Sequence, residues 1–560
     1  MKRHGTRGNN GEFKRNAWIV GGLLLLLLLI PIAGCDDTED VISELSFEGF
    51  AETVDGLREQ LLIPALSAAV VKDGELLWSQ GFGTADLEND IPATADTPYG
   101  LASVTKPFAA FLLMQQVEAG ALDLDAPVSE FGIDLGNSEI TVRHLLSHTS
   151  EGTPGSHYQY SGNRYAYLTG VIEQLYGQSF RSVLRSEILG PLDMTNTVLN
   201  AGGCGMAYFE ATLAADDPER AFLGVYEASA VPYQYDPDYQ VYPVSVPSYA
   251  NAAAGLVSSV NDLAKFAAAI EDDILVTART KTEMFRPTRL RFGGTGPYGL
   301  GWFTESYEGT DLIWHYGYGA YSSLFLMVPE EGWTFIVLAN TQNLSRPFAL
   351  GHEDVSVLAS PMALAFIKQF VLEPRLDEPL PNIDWTASPD DIVSALHAVE
   401  SEEVRALCEI ELWSFRKLFA GVGNDAASQQ LLQVDLQAYP RSERAAHDMY
   451  QVGRPGPRSV QIAQAALTSE QANRWNGHYG LRSEDHDVGL PLNIEIFASE
   501  NEVIALAPDD SCRRLLIVDG MRLLDAENPQ MCLRCVNQED GNEIDVEFDG
   551  AIVARYVRVE

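Results

Sequence analysis

The chain has 560 residues, 46% hydrophobic and 21% charged, with 37 Lys and Arg against 79 Asp and Glu, a formal net charge of −42. That length allows more than one domain and a substantial core, and the composition excludes a disordered or fibrous chain. A surface this acidic repels nucleic acid and anionic lipid, so neither is expected as an electrostatic partner.

Taken in chain order, residues 1–35 read as an export leader. Lys2, Arg3, Arg7, Lys14 and Arg15 make a basic start, and the apolar run from Ala17 to Ile30 contains seven consecutive leucines, Leu23 to Leu29. Ile32-Ala33-Gly34-Cys35 follows and resembles the bacterial lipobox, which implies a lipid on Cys35 and a membrane-anchored mature protein. Asp36 behind the cysteine favours the periplasmic face of the inner membrane. Five cysteines remain, Cys204, Cys408, Cys512, Cys532 and Cys535. Cys512 can pair with Cys532 or Cys535 in an exported domain. The Cys532-Leu533-Arg534-Cys535 pair lacks a second ligand pair for zinc, and no metal or cofactor is expected.

A large mixed domain is predicted over residues 42–372. Its opening strands, Leu66–Val71 and Glu75–Gly81, meet around Lys72-Asp73-Gly74. Thr97-Pro98-Tyr99-Gly100 reads as a turn, and Phe108, Phe111, Leu112 and Met114 as the buried stripe of the helix after it. Between them stands Ser103-Val104-Thr105-Lys106. Positions i and i+3 share a helix face, so Lys106 can reach the Ser103 hydroxyl, a weak nucleophile until a neighbour takes its proton. Backbone N–H groups at a helix start also suit a developing oxyanion. Further strands are predicted at Ile313–His315, Ser323–Pro329 and Thr334–Ala339, so that strands from both ends of the domain join one sheet. Pro374, Pro379 and Pro381 mark a break. A helical connector follows over 373–474, then a small β-rich domain over 475–560 with alternating apolar segments and a closing hairpin around Asp549-Gly550. Gly477-His478-Tyr479-Gly480 resembles the start of lipocalin-like modules.

Three further segments give the Ser-x-x-Lys pattern a family. Ile140-Thr141-Val142-Arg143-His144-Leu145-Leu146-Ser147-His148-Thr149-Ser150, Tyr160-Ser161-Gly162 and His315-Tyr316-Gly317 follow in order, with Tyr298-Gly299-Leu300-Gly301-Trp302 and Ala339-Asn340. Over residues 45–365 the chain resembles the class C-like β-lactamase-related serine hydrolases, which include AmpC-type β-lactamases, DD-peptidases, D-aminopeptidases and esterases. The resemblance implies an α/β (α+β) β-lactamase/transpeptidase-like fold: a central antiparallel sheet flanked by helices and an all-helical subdomain, here followed by the connector and a small antiparallel β-barrel-like domain. It implies Ser103 as acyl-enzyme nucleophile, Lys106 and Tyr160 as its activators, and the Ser103 and Tyr318 N–H groups as the oxyanion site. His315 and Gly317 would line the cleft. His144 and His148 are read as structural.

Two positions depart from the family pattern. Gly162 stands where Tyr-x-Asn carries an amide, and His315 where β-lactamases carry a lysine for the substrate carboxylate. Both favour an esterase or a D-amino-acid-type peptidase or amidase acting on a small-molecule or peptide ester or amide. A weakly catalytic penicillin-binding-like protein holding cell-wall peptide, and a true β-lactamase, remain the alternatives. The aromatic stretch 203–249 is read as a cleft-side lid.

Overall fold

The computed structural model describes residues 38–199, 223–235, 240–244, 250–348, 350, 356–375, 380–381, 383–440 and the strands within 477–559. The leader, Cys35, Cys204 and the proposed Cys512 pairings lie outside the described residues or side chains.

Seven antiparallel strands form the central sheet: β1 (Ala65–Lys72), β2 (Glu75–Asp86), β3 (Ile91–Pro92), β4 (Phe303–Tyr307), β5 (Thr310–Tyr318), β6 (Ser322–Val328) and β7 (Trp333–Ala339). Their spatial order is β3-β2-β1-β7-β6-β5-β4. The β1–β2 turn falls where predicted. Asp73 (φ 50°) and Gly74 (φ 79°) both take positive φ, the conformation that lets a two-residue hairpin follow the strand twist. Strands from the two ends of the domain do join, with Leu66 opposite Ala339 and Lys72 opposite Trp333. The sequence reading missed β4, a five-residue edge strand with no clean alternation.

Helices cover both faces. In α1 (Thr38–Gln60), Phe50, Val54 and Leu57 are buried at helical spacing. Phe50 meets Phe335 and Phe370 edge-on at 5.5 and 5.0 Å between ring centroids. On the other face lie α2 (Thr105–Glu118) and α6 (Val260–Glu271), locked by Phe108 stacked on Phe266 at 3.8 Å. The run Thr105–Met114 of α2 is buried all round, because the sheet lies on one side and the helical subdomain on the other. That subdomain includes α3 (Val142–Leu146), α4 (Gly162–Ala166) and α5 (Leu168–Tyr176).

The predicted connector holds α7 (Pro389–His397), α8 (Glu402–Gly421) and α9 (Asp425–Ala438). These pack on the segment before them: Ser414 donates to the Ala359 carbonyl at 2.8 Å, and Lys368 pairs with Glu411 at 2.6 Å. Burial raises the Cys408 thiol on α8 to about 11, which leaves it unreactive at neutral pH. The eight strands from Gly477–Leu481 to Ala551–Val559 pair antiparallel in chain order, and the first also pairs the last, closing a ring.

The stretch read as a lid is described only in part; within it residues 230–233 are bolted down, while Val241 and Tyr242 are exposed. Ala230 N–H donates to Pro98 O, Val231 N–H to Ala85 O and Tyr233 N–H to Asn340 O. Asn340 Nδ2 donates back to Val231 O at 2.9 Å, and Tyr321 Oη to Ala230 O at 2.6 Å. Residues 230–233 are a strap sewn across the ends of interior strands, because their backbone groups are satisfied by the core itself.

Candidate active site

The site is built where the turn before α2 meets β5. Ala102, in a one-turn 3₁₀ segment with Ser103 and Val104, has φ 46°, an unusual conformation for a residue with a Cβ. Neighbours hold it there. Ser323 Oγ donates to Leu101 O and Thr105 Oγ1 to Ala102 O, both at 2.8 Å. Gly317 is required by this approach: a Cβ on it would lie 2.2 Å from both Leu101 O and Ser323 Oγ. The glycine thus brings the strand against the backbone that presents Ser103.

Lys106 is 1% exposed, one turn from the partly exposed Ser103, and its Nζ lies 2.9 Å from Ser103 Oγ. Nζ also donates to Ala253 O at 3.0 Å. Among the described residues no carboxylate compensates its burial, and desolvation lowers its pKa to about 7. Nζ sits 4.9 Å from the centroid of the Tyr160 ring and 5.4 Å from that of Tyr165.

Tyr160 completes the cluster at the N-terminal approach to α4, whose first turn is capped by the Ser161 hydroxyl. Its hydroxyl is shielded from solvent and among the described residues finds no hydrogen bond of good geometry. Desolvation first, then Tyr316, raises its pKa well above the usual phenol value, and the neighbouring Ser103 hydroxyl offsets this only in part. Lys106 lies over the ring rather than beside the oxygen, so the phenolate gains too little to overcome burial. The structure therefore holds Tyr160 as a neutral phenol.

His315 departs from expectation. It is fully buried, with Nδ1–H donating to Tyr316 O at 2.8 Å and Nε2 accepting from the Tyr298 hydroxyl at 2.9 Å. Both nitrogens are satisfied inside the fold, so the ring neither lines the cleft nor bonds Tyr160. Desolvation and Lys106 hold its pKa well below the ordinary range, so it is neutral. Tyr316 stands beside Tyr160 instead, with ring centroids 6.0 Å apart and its own pKa raised by burial to about 12. Tyr318 follows, 51% exposed at the rim. Gly162 is the first residue of α4 and a Cβ there would meet nothing within 4 Å; Asn163 beside it is exposed.

Ala253, Ser323 and Tyr316 were not singled out from sequence. Ala253 contributes only a carbonyl, which any residue carries, and nothing but tertiary contact marks it. His144 forms a capping box with Thr141 at the start of α3, in keeping with the structural reading.

The Beta-lactamase family matches residues 50–358, and the chain belongs to it. The chain is 27% identical over 359 residues to unguisins hydrolase ungD' of Aspergillus campestris, covering 54% of this chain and 63% of that protein. It is 26% identical to penicillin-binding protein 4* of Bacillus subtilis, covering 48% and 66%. The chain thus spans less than two thirds of the length of these curated relatives. A crystal structure of SurE superposes with a TM-score of 0.51 at 16% identity, covering 93% of this chain and all of that one, a likeness of fold.

Proposed function

We propose that the protein is a serine hydrolase that passes an acyl group through Ser103, acting as an esterase or as a peptidase or amidase of the D-amino-acid type. The observation that carries this reading is the 2.9 Å contact between Ser103 Oγ and a lysine amine whose pKa is about 7. With Nζ neutral, the contact runs from the Ser103 O–H to Nζ, and the amine takes the proton as Oγ attacks the carbonyl. The Ser103 and Tyr318 N–H groups are the proposed donors to the oxyanion, on the two backbone segments that Gly317 brings together. Tyr160, a neutral phenol beside Ser103, is assigned as the proton donor to the leaving group; its proton is replaced from Lys106 once bound substrate turns the hydroxyl from its resting place toward Nζ, and water returns a proton by the same route in deacylation. This assigns the base role to Lys106 and reserves Tyr160 for transfer.

The preference for esters and amides over β-lactams rests on His315 and Gly162. A neutral, fully bonded His315 supplies no positive charge for a substrate carboxylate, and Gly162 supplies no side-chain amide. The two relatives, one called a hydrolase and the other a penicillin-binding protein, are compatible with this reading and with a peptide-binding one. Export and lipid attachment at Cys35 belong to the same proposal on the strength of the leader sequence; globomycin-sensitive labelling by palmitate in a bacterial host tests them.

The central test is hydrolysis of a nitrophenyl ester and a chromogenic cephalosporin by residues 36–560, beside Ser103→Ala. Ester turnover is expected to fall at least ~10³-fold in the variant, with little cephalosporin turnover in either. Ester turnover that survives Ser103→Ala overturns the assignment. Saturable penicillin binding without turnover would favour the peptide-binding alternative.

A further inference from the structure

His148 follows α3 in the loop beside the site, and its contacts converge on a single residue. Its backbone is left-handed, φ 55°, a conformation uncommon outside Gly and adopted chiefly by Asn, Asp and His among the other residues. That conformation turns both its carbonyl and its ring toward the strand of chain carrying Tyr160. The His148 carbonyl accepts from Gln159 N–H at 2.8 Å, and His148 Nδ1 accepts from Ser161 N–H at 3.1 Å. The residues immediately before and after Tyr160 are therefore both held by His148. The ring itself lies 4.3 Å from the Tyr160 ring, tilted by 31°. His148 is 1% exposed, and Tyr165 and Tyr298 back it at centroid distances of 5.3 and 4.8 Å.

We infer that His148 is a positioning residue that clamps Tyr160, fixing its backbone from both sides and its ring by stacking so that the phenol stays beside Lys106 and Ser103. The inference rests on the proposed hydrolase reading for its kinetic consequence but not for its geometry. Since Nδ1 accepts, the proton of the neutral ring is on Nε2. A second proton would have to enter between Nδ1 and the Ser161 N–H, setting two donors against each other. The surroundings make that still harder: burial first, then Lys106, oppose positive charge there, the facing His315 is itself neutral, and Tyr158, Tyr160, Tyr165 and Tyr298 supply no carboxylate. The clamp therefore works only in the neutral state, which the site's own burial maintains.

Two substitutions separate clamping from general packing. Asn tolerates the left-handed backbone and its Oδ1 can accept from Ser161 N–H, so His148→Asn retains the two hydrogen bonds and loses the stacked ring. His148→Ala loses the ring and its bond and strains the backbone. With the nitrophenyl ester as substrate, His148→Ala is expected to lower kcat by roughly 30-fold or more with KM changed less than about threefold, and His148→Asn to recover at least a third of that loss. Thermal midpoints of both variants give the folded fraction to which these rates are referred. An equal loss of kcat in the two variants, or a loss carried by KM, overturns the clamp.

A second readout does not depend on turnover. With 3-fluorotyrosine placed at position 160, the ¹⁹F spectrum is expected to show narrow lines in the parent and in His148→Asn, and broadened or additional lines in His148→Ala. Unchanged narrow lines in folded His148→Ala would overturn the clamp whatever the enzyme's activity. Absence of ester hydrolysis in the parent would count against the hydrolase reading alone.

Discussion

At the scale of single residues, the site depends on one costly burial. Burial, with no compensating carboxylate among the described residues, depresses the Lys106 pKa from 10.5 to about 7. Two consequences follow for pH. The neutral amine is the reactive form, so kcat/KM for the ester should rise with pH through about 7 and then level, while Lys106→Met should be flat and at least ~10³-fold slower. Stability runs in the same direction. Between pH 7 and 10.5 the unfolded chain holds a proton on this lysine that the native state has released, so its destabilising effect is full below pH 7 and fades as pH rises toward 10.5. The shift corresponds to of order 5 kcal/mol. Lys106→Met should therefore be more stable than the parent at pH 6, with the gap narrowing by pH 9; denaturant titrations of both proteins at the two pH values measure it. A gap that widens with pH would mean the lysine is paired in the native state after all.

At the scale of elements, the nucleophile is positioned by strand β5 through a glycine. Strand β5 was legible only in part: the expected Ile313–His315 and the His-Tyr-Gly motif fall within Thr310–Tyr318, whose residues Leu312 to Gly317 are continuously buried rather than alternating. The reason for Gly317 was only half legible: the sequence marks it as a cleft residue, whereas the close approach that requires it is to Leu101 O and Ser323 Oγ. Gly317→Ala must displace β5 or the Ser103 turn, because backbone oxygen and a hydrogen-bonded hydroxyl both block the new methyl. The expected result is a loss of about 2–4 kcal/mol and of at least ~10²-fold in acylation rate, read by denaturation and by fluorophosphonate labelling of Ser103. Labelling at the parent rate would show that the approach has no part in catalysis. His315 marks the opposite lesson. Its motif position does not reveal that Tyr298, seventeen residues earlier, reaches its Nε2 and withdraws it from the cleft.

At the scale of the whole molecule, the acidic excess dominates. With 79 acidic against 37 basic side chains, the compact state carries net self-repulsion that salt screens over about 8–10 Å. Raising NaCl from 10 mM to 0.5 M should lift the thermal midpoint by a few degrees, about 3–6 °C, as followed by circular dichroism. A midpoint that falls with salt would mean that local ion pairs such as Arg143–Asp125 at 2.8 Å outweigh the global repulsion. What the sequence by itself determined was the local grammar: the Asp73-Gly74 hairpin, the Ser-x-x-Lys helix start, the ordered motifs and hence the family. Those features depend on neighbours within a few residues, where spacing and backbone preference suffice. Only the tertiary structure decided which atoms meet across long separations: Lys106 with Ala253, Gly317 with Leu101, His148 on both sides of Tyr160, and His315 turned to Tyr298. These contacts arise from packing, which sets burial and therefore charge state, and no local pattern encodes the environment a side chain will find.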